Sequence, residues 1–367
     1  MNHSDRIISA PHAHDRSTVN RLMGHVCLAL LPSTVFGLYL FGWPAINLLL
    51  LSSASAVLTE WFCLKVQRLP LHRLNDGTAL LTGWLLALSI PPWAPWWIGV
   101  GGSAFAITFG KQLYGGMGQN IFNPAMLARI ALLITFPVQM TYWVLPQTLG
   151  SDHAPDFLQG LSITFGLAPI PDAVTGATSL GHLKTAFTLH QDARQVLAED
   201  FSLSDALLGF TSGSLGETSE LLVLLGGLWL LALRIITWEI PVSLLASLGV
   251  LAMVSSFLDP SRYPGPLFHL SSGGVMLGAF FIATDPVTSP VTRKGRLLFG
   301  VGCGLVTFVI RSWGGFPEAI GFSVLFMNAL TPLIDRIFRP RAYGRTLSGE
   351  PVKVAALTDH VKKAGEV

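Results

Sequence analysis

Charge is what this sequence has least of: 12% of its 367 residues are Asp, Glu, Lys or Arg, about half the roughly 25% of a soluble globular protein. That shortage excludes an ordinary soluble domain, and a net charge of +2 gives no basic surface that would take nucleic acid as a partner. Cysteine is scarce too. Cys27, Cys63 and Cys303 lie far apart in apolar surroundings, with no CxxC pair, which excludes a disulfide framework and a cysteine-ligated iron–sulfur cluster. The ten histidines have no metal-ligand spacing, and His12 and His14 fall in a polar N-terminus. No metal site is expected and no catalytic residue is assigned. No small-residue cleavage site in a polar context follows the first apolar run, so no cleavable signal peptide is expected.

Long apolar runs fill the space that charge leaves. Hydrophobic residues make up 51% of the chain and the mean hydropathy is +0.55. Apolar stretches at 22–42, 44–63, 78–92, 95–110 and 125–145 precede a long polar segment, and others follow at 219–236, 240–258, 267–285, 296–311 and 316–335. The expectation is an all-α polytopic membrane protein of about ten transmembrane helices, its partner the lipid bilayer. Five regions follow: a cytoplasmic N-terminus 1–21, a five-helix repeat 22–145, a loop 146–218, a second five-helix repeat 219–335 and a basic tail 336–367. Lys and Arg collect before the first run, after the second and in the tail, whereas the connections at 43 and 91–95 have none. By the positive-inside rule both termini are cytoplasmic. An odd number of spans precedes loop 146–218, which therefore faces the periplasm of a bacterial inner membrane.

The two groups of runs echo each other. Gly83 is followed by Pro91 and Pro95, and Gly278 by Pro286 and Pro290 at the same offsets; Lys111 with Gly115-Gly116 parallels Arg311 with Gly314-Gly315. Two five-span repeats in one membrane must be oppositely oriented, the plan in which Gly/Pro-broken segments line a central site. Asp285 and Glu60, at span ends, are the ionisable residues that fit either a helix terminus or an ion path; Glu318 and Asp335 are read as interfacial. Asn123-Pro124-Ala125 occurs once without a second copy, and reads as a helix start rather than as half of a water channel.

Within the polar loop stands Asp172-Ala-Val-Thr175-Gly176-Ala177-Thr178. Its [S/T]-G-A-T core arises by chance in about one per cent of chains this long. The motif resembles the flavinylation sequence of the NqrB/RnfD family of respiratory membrane subunits. So do residues 75–83, 110–141 and 281–290, and the short N-terminus resembles the RnfD members more than the NqrB ones. The resemblance implies covalent FMN carried by Thr178, with Asp172, Thr175, Gly176 and Ala177 as motif neighbours, and a non-covalent riboflavin within the membrane. It implies an electron-carrying subunit of an Rnf-type ion-translocating ferredoxin:NAD⁺ oxidoreductase, not catalytic alone. The implied partners are the other Rnf subunits, a second flavinylated subunit among them, and a flavin transferase. The alternatives are an NqrB-type subunit of a sodium-pumping NADH:quinone reductase and a non-redox inverted-repeat transporter. Lys184, six residues beyond Thr178, fits either a cationic neighbour of the phosphodiester or an ordinary exposed lysine.

Overall fold

Helix α1, Val19–Val66, would be about 72 Å long if straight, yet residues from both of its ends, Thr18 and Asn20 with Glu60 and Leu64, line one cavity. The chain reverses at Gly42, whose backbone (φ 69, ψ −157) lies where side chains are disfavoured. Pro44 follows two residues on, without an N–H for the ladder. Two arms result, 19–41 and 43–66. Carbonyls freed at the turn are met from outside the helix: the Trp93 indole donates to Phe41 O at 2.8 Å and Leu149 N–H to Tyr39 O at 2.7 Å. In a bilayer such groups find no water, so the protein must supply the donors.

This computed structural model describes residues 18–151, 154–169, 176–189, 191–192, 195–197 and 201–340, and among them there is no β-strand. The main apolar helices after α1 are α2 (Thr78–Ser89), α3 (Trp96–Gly110) and α4 (Pro124–Thr135). From the polar loop onward come α5 (Phe157–Thr164), α6 (Ser179–Thr188), α7 (Glu220–Ala232), α8 (Glu239–Leu258), α9 (Arg293–Trp313) and α10 (Ile320–Ile337), with a short helical stretch Leu203–Leu208 before α7. The protein is an all-α polytopic membrane protein. Helices α1, α8, α9 and α10 are long and apolar enough to cross a bilayer. Helices α2 and α4 have 12 residues each, about 18 Å against a hydrocarbon layer of about 30 Å.

The short helices end for local reasons. Pro91 and Pro92 follow α2. The apolar run 125–145 stays helical only to Thr135, because Phe136 precedes Pro137 and leaves the helical region (φ −129, ψ 60), as a pre-proline residue tends to. Between α8 and α9 the run 267–285 breaks into Pro266–Leu270, Val275–Leu277 and a π-helical turn Gly278–Ile282.

Small residues set the helix contacts. A Cβ on Gly83 would come within 2.7 Å of Ser52 O on α1, and one on Gly304 within 2.5 Å of Leu244 O on α8. Without a hydrophobic drive between helices in lipid, such close backbone approach is what holds them.

Candidate functional site

Thr178 is the N-cap of α6, its Oγ1 accepting from Gly181 N–H at 3.1 Å. The residue is 6% exposed, and beside it opens a cavity whose walls include Ser212, Glu217, Ser272, Gly273 and Glu318. Gly176 donates its N–H to Trp143 O at 3.1 Å, and a Cβ there would press on the Leu145 side chain at 3.1 Å. Ser212 Oγ donates to Ala177 O at 2.7 Å. The end of the motif is thus pinned on both sides, with its threonine hydroxyl at the electropositive start of a ten-residue helix. An anion esterified to that oxygen meets a favourable dipole. Asp172 and Thr175 lie outside the described residues.

Helix α6 is seated on the membrane part. Leu180 and Leu183 pack with Phe268, and Leu180 also lies against Gly273 (φ 66), where the second broken segment turns. Lys184 donates to Arg311 O at 3.3 Å and is partly buried, so it is not an ordinary exposed lysine. Its partial burial lowers the pKa of the ammonium, because a charged group loses hydration there.

Beneath this surface lie buried charges. Arg129 on α4 pairs with Glu318 and donates from Nε to Ser89 O at 2.7 Å. It thereby ties the end of α2 to the start of α10. Arg311, 3% exposed, donates to His269 O at 2.7 Å and Ser272 O at 2.6 Å. Glu318, read from sequence as interfacial, is buried. Arg129 sits inside the apolar run 125–145, and an ionisable residue there was the available signal for this cluster.

At the other end, Lys111 pairs with Glu60 and also bonds the Thr78 hydroxyl at the start of α2, while Gln112 donates to Glu60 Oε1 at 2.8 Å. Glu60 is therefore buried and paired rather than hydrated. Lys111 thus holds the entrance of the Gly83 segment, and Arg311, through Ser272, that of the Gly278 segment. Asp285 caps its own turn, accepting from Val287 N–H at 3.1 Å, and also receives Asn123 Nδ2 at 3.5 Å. Asn123 Oδ1 meanwhile caps α4 through Ala125 N–H at 3.1 Å, the helix start read from the sequence. Asp335 accepts from Val291 N–H at 3.1 Å.

Asp285 and Asn123 belong to the wall of an apolar cavity, about 990 Å³ of space partly open to the exterior. Leu85 of α2 and Phe280 and Phe281 of the π-turn line it, as do the polar Thr78 and Lys111. Both broken segments contribute to it. No group of three or more His, Cys, Asp or Glu that would hold a metal occurs among the described residues.

A family model described as NQR2, RnfD, RnfE matches residues 6–344. The chain belongs to that family. A relative from Stutzerimonas stutzeri, named as the D subunit of an ion-translocating oxidoreductase complex, is 63% identical over 352 residues, covering 96% of this chain and 99% of the relative. Proteins of the same name from Halorhodospira halophila and Escherichia coli O9:H4 are 51% and 41% identical, over 94% and 92% of this chain and 97% and 98% of their own lengths. The matched range spans both broken segments, Thr178 and the buried arginines.

Proposed function

We propose that this chain is an electron-carrying subunit of an Rnf-type ion-translocating oxidoreductase complex, with FMN joined to Thr178 through its phosphate. One observation carries the reading: the motif's last threonine presents its hydroxyl at a helix N-terminus beside a polar cavity. The full-length similarity to relatives named as the D subunit of such a complex supports it. When bound, the flavin supplies one-electron chemistry. The chain's own part is to anchor the phosphate at the start of α6, to pin Gly176 and Ala177, and to surround the site with fixed charges. A flavin transferase installs the cofactor, and a second flavinylated subunit lies among the partners.

The proposal extends to topology. The repeats 22–145 and 219–335 are inverted halves, supported by the matching roles of Lys111 and Arg311. With both termini cytoplasmic, loop 146–218 and Thr178 lie on the periplasmic side of the inner membrane. Cytoplasmic ferredoxin or NADH then needs a carrier within the bilayer, since its hydrocarbon alone is about 30 Å thick. The cavity between Leu85, Phe280 and Phe281 suits a non-covalent flavin such as riboflavin, with apolar walls for a flat ring and Thr78, Lys111 and Asn123 for a polar chain.

The test uses the purified protein. On a denaturing gel the wild-type band fluoresces under ultraviolet light and the Thr178→Ala band does not. Gentle extraction of the folded Thr178→Ala protein releases about one flavin per chain from the inner cavity. A fluorescent Thr178→Ala band refutes the attachment site. A folded variant with no extractable flavin moves the inner carrier to a partner subunit.

A further inference from the structure

Ahead of the Thr178 motif, residues 157–171 hold no ionisable side chain, although acids stand on either side at Asp156 and Asp172. Helix α5 opens this stretch. Its start is a capping box, in which Gln159 Oε1 accepts from Asp156 N–H at 3.1 Å. It closes at Gly166 (φ 73), beyond which the Leu167 N–H donates to Ser162 O at 2.8 Å, a turn that calls for a left-handed glycine. At about 100° per residue, α5 has three sides. Gly160, Ile163 and Thr164 are buried. Phe157, Leu158, Leu161 and Phe165 project beside them, and all but the half-buried Leu161 are exposed. Gln159 and Ser162 make the third side, which is polar.

The buried side sits on the second arm of α1. A Cβ on Gly160 would come within 2.6 Å of Trp43 Cβ, and Asn47 Nδ2 donates to Thr164 Oγ1 at 3.4 Å. The Phe157 and Trp43 rings meet edge-on at 5.1 Å, and the Phe165 ring lies 6.1 Å from Trp96 at the start of α3. From Gly160 to Thr164 the contact moves about one turn along α1, about 5 Å, away from the reversal at Gly42. The same side of that arm continues at helical spacing in Leu50, Ala54 and Leu58, all exposed. Helix α1 is long and apolar enough to cross a bilayer, and this stripe is its lipid-facing surface. Helix α5 covers the end of the stripe and extends it outward: Leu158 is 76% exposed and Leu167 83%. Trp43 and Trp96 stand at the same level, as an interfacial aromatic belt does. A protein partner would be met by a polar, charged rim. This stretch has no charge to offer one, and a bilayer requires none.

We infer that α5 and the turn after it form a membrane-interface anchor for the loop that carries Thr178. Phe157, Leu158, Phe165 and Leu167 enter the acyl-chain boundary of the leaflet on the Gly42 side, about 5–10 Å deep as such helices do, while Gln159 and Ser162 stay among the headgroups. With no basic residue in the stretch, the anchor takes phospholipid by apolar burial and does not select anionic headgroups. The loop is then held twice, by α6 against Phe268 and by α5 in lipid. The anchor is independent of whether Thr178 carries a flavin.

The test is photo-crosslinking of the whole complex in its native membranes, with a diazirine amino acid in place of Leu158, Leu167 or, as the control, Gln159. Mass spectrometry of the purified complex reads what each position captured. Phospholipid adducts are expected at 158 and 167, severalfold over 159, where water adducts should predominate. Water adducts at 158 and 167, or cross-links there to another subunit, overturn the inference. If the altered proteins do not assemble, the unaltered complex in nanodiscs of phospholipid with a diazirine in its acyl chain decides instead. Lipid adducts must then appear in the peptide 157–167 as they do in the stretch 50–58 of α1, and their absence from 157–167 overturns the anchor. The yield in 157–167 should be equal in neutral and anionic phospholipid. Adducts confined to anionic lipid would mean headgroup recognition and overturn an apolar anchor.

Discussion

Thr178 has two roles in this reading, and substitutions can separate them. Its Oγ1 caps α6 and is also the proposed flavin acceptor. Thr178→Ala removes both, Thr178→Ser keeps both, and Thr178→Asn keeps an N-cap acceptor while removing the hydroxyl. Losing an N-cap costs about 1 kcal/mol. Helix α6 has ten residues and a small apolar contact through Leu180 and Leu183, so its local opening should be about fivefold more frequent in Thr178→Ala. Ala and Asn variants are both flavin-free, and comparing them isolates the cap from the cofactor. Hydrogen exchange of the peptide 179–188, measured by mass spectrometry on detergent-solubilised protein, should be about fivefold faster in Ala than in Asn. Gel fluorescence should survive in Ser only. Equal exchange in the Ala and Asn variants would refute the capping role, and a fluorescent Asn band would refute the acceptor assignment.

Three other outcomes follow from the same contacts. Lys111→Met leaves Glu60 buried without its cation and should cost about 3–5 kcal/mol, seen as a lower midpoint of thermal unfolding in detergent; adding Glu60→Gln should recover part of it, and strictly additive losses would argue against the pairing. Gly83→Ala, which forces a Cβ to within 2.7 Å of Ser52 O, should destabilise by about 1–3 kcal/mol, whereas Gly101→Ala, with nothing within 4 Å, should not; equal effects would refute the packing argument. A phosphatase fused within 146–218 should be active and one after Arg341 silent, and the reverse pattern would overturn the proposed orientation.

Composition and hydropathy alone determined the class of this protein. A chain with so few charges and such long apolar runs can satisfy its backbone in lipid only as helices. The turn between the first two spans was legible because Gly42 and Pro44 break a helix by local sterics, and the start at Asn123-Pro124 because the Asn side chain supplies its own cap. The Thr178 motif was legible because its chemistry sits in consecutive residues. Helix lengths were less so: the run 125–145 reads as one apolar stretch, yet a single proline ends its helix ten residues early.

Only the tertiary structure decided what surrounds the motif. Arg129, Glu217 and Arg311 are separated by long stretches of sequence, and Glu318 reads as an ordinary interfacial acid. Folding brings them together beside Thr178. Lys184 has the right charge and spacing for a phosphate neighbour, but the fold turns it to the Arg311 carbonyl. Glu60 reads as either a helix terminus or an ion-path residue at a span end, and the fold buries it against Lys111. The physical reason is common to all of these. Hydrophobicity and backbone sterics act over a few residues and can be read along the chain, whereas the partner of a buried charge is set by which helices pack against it.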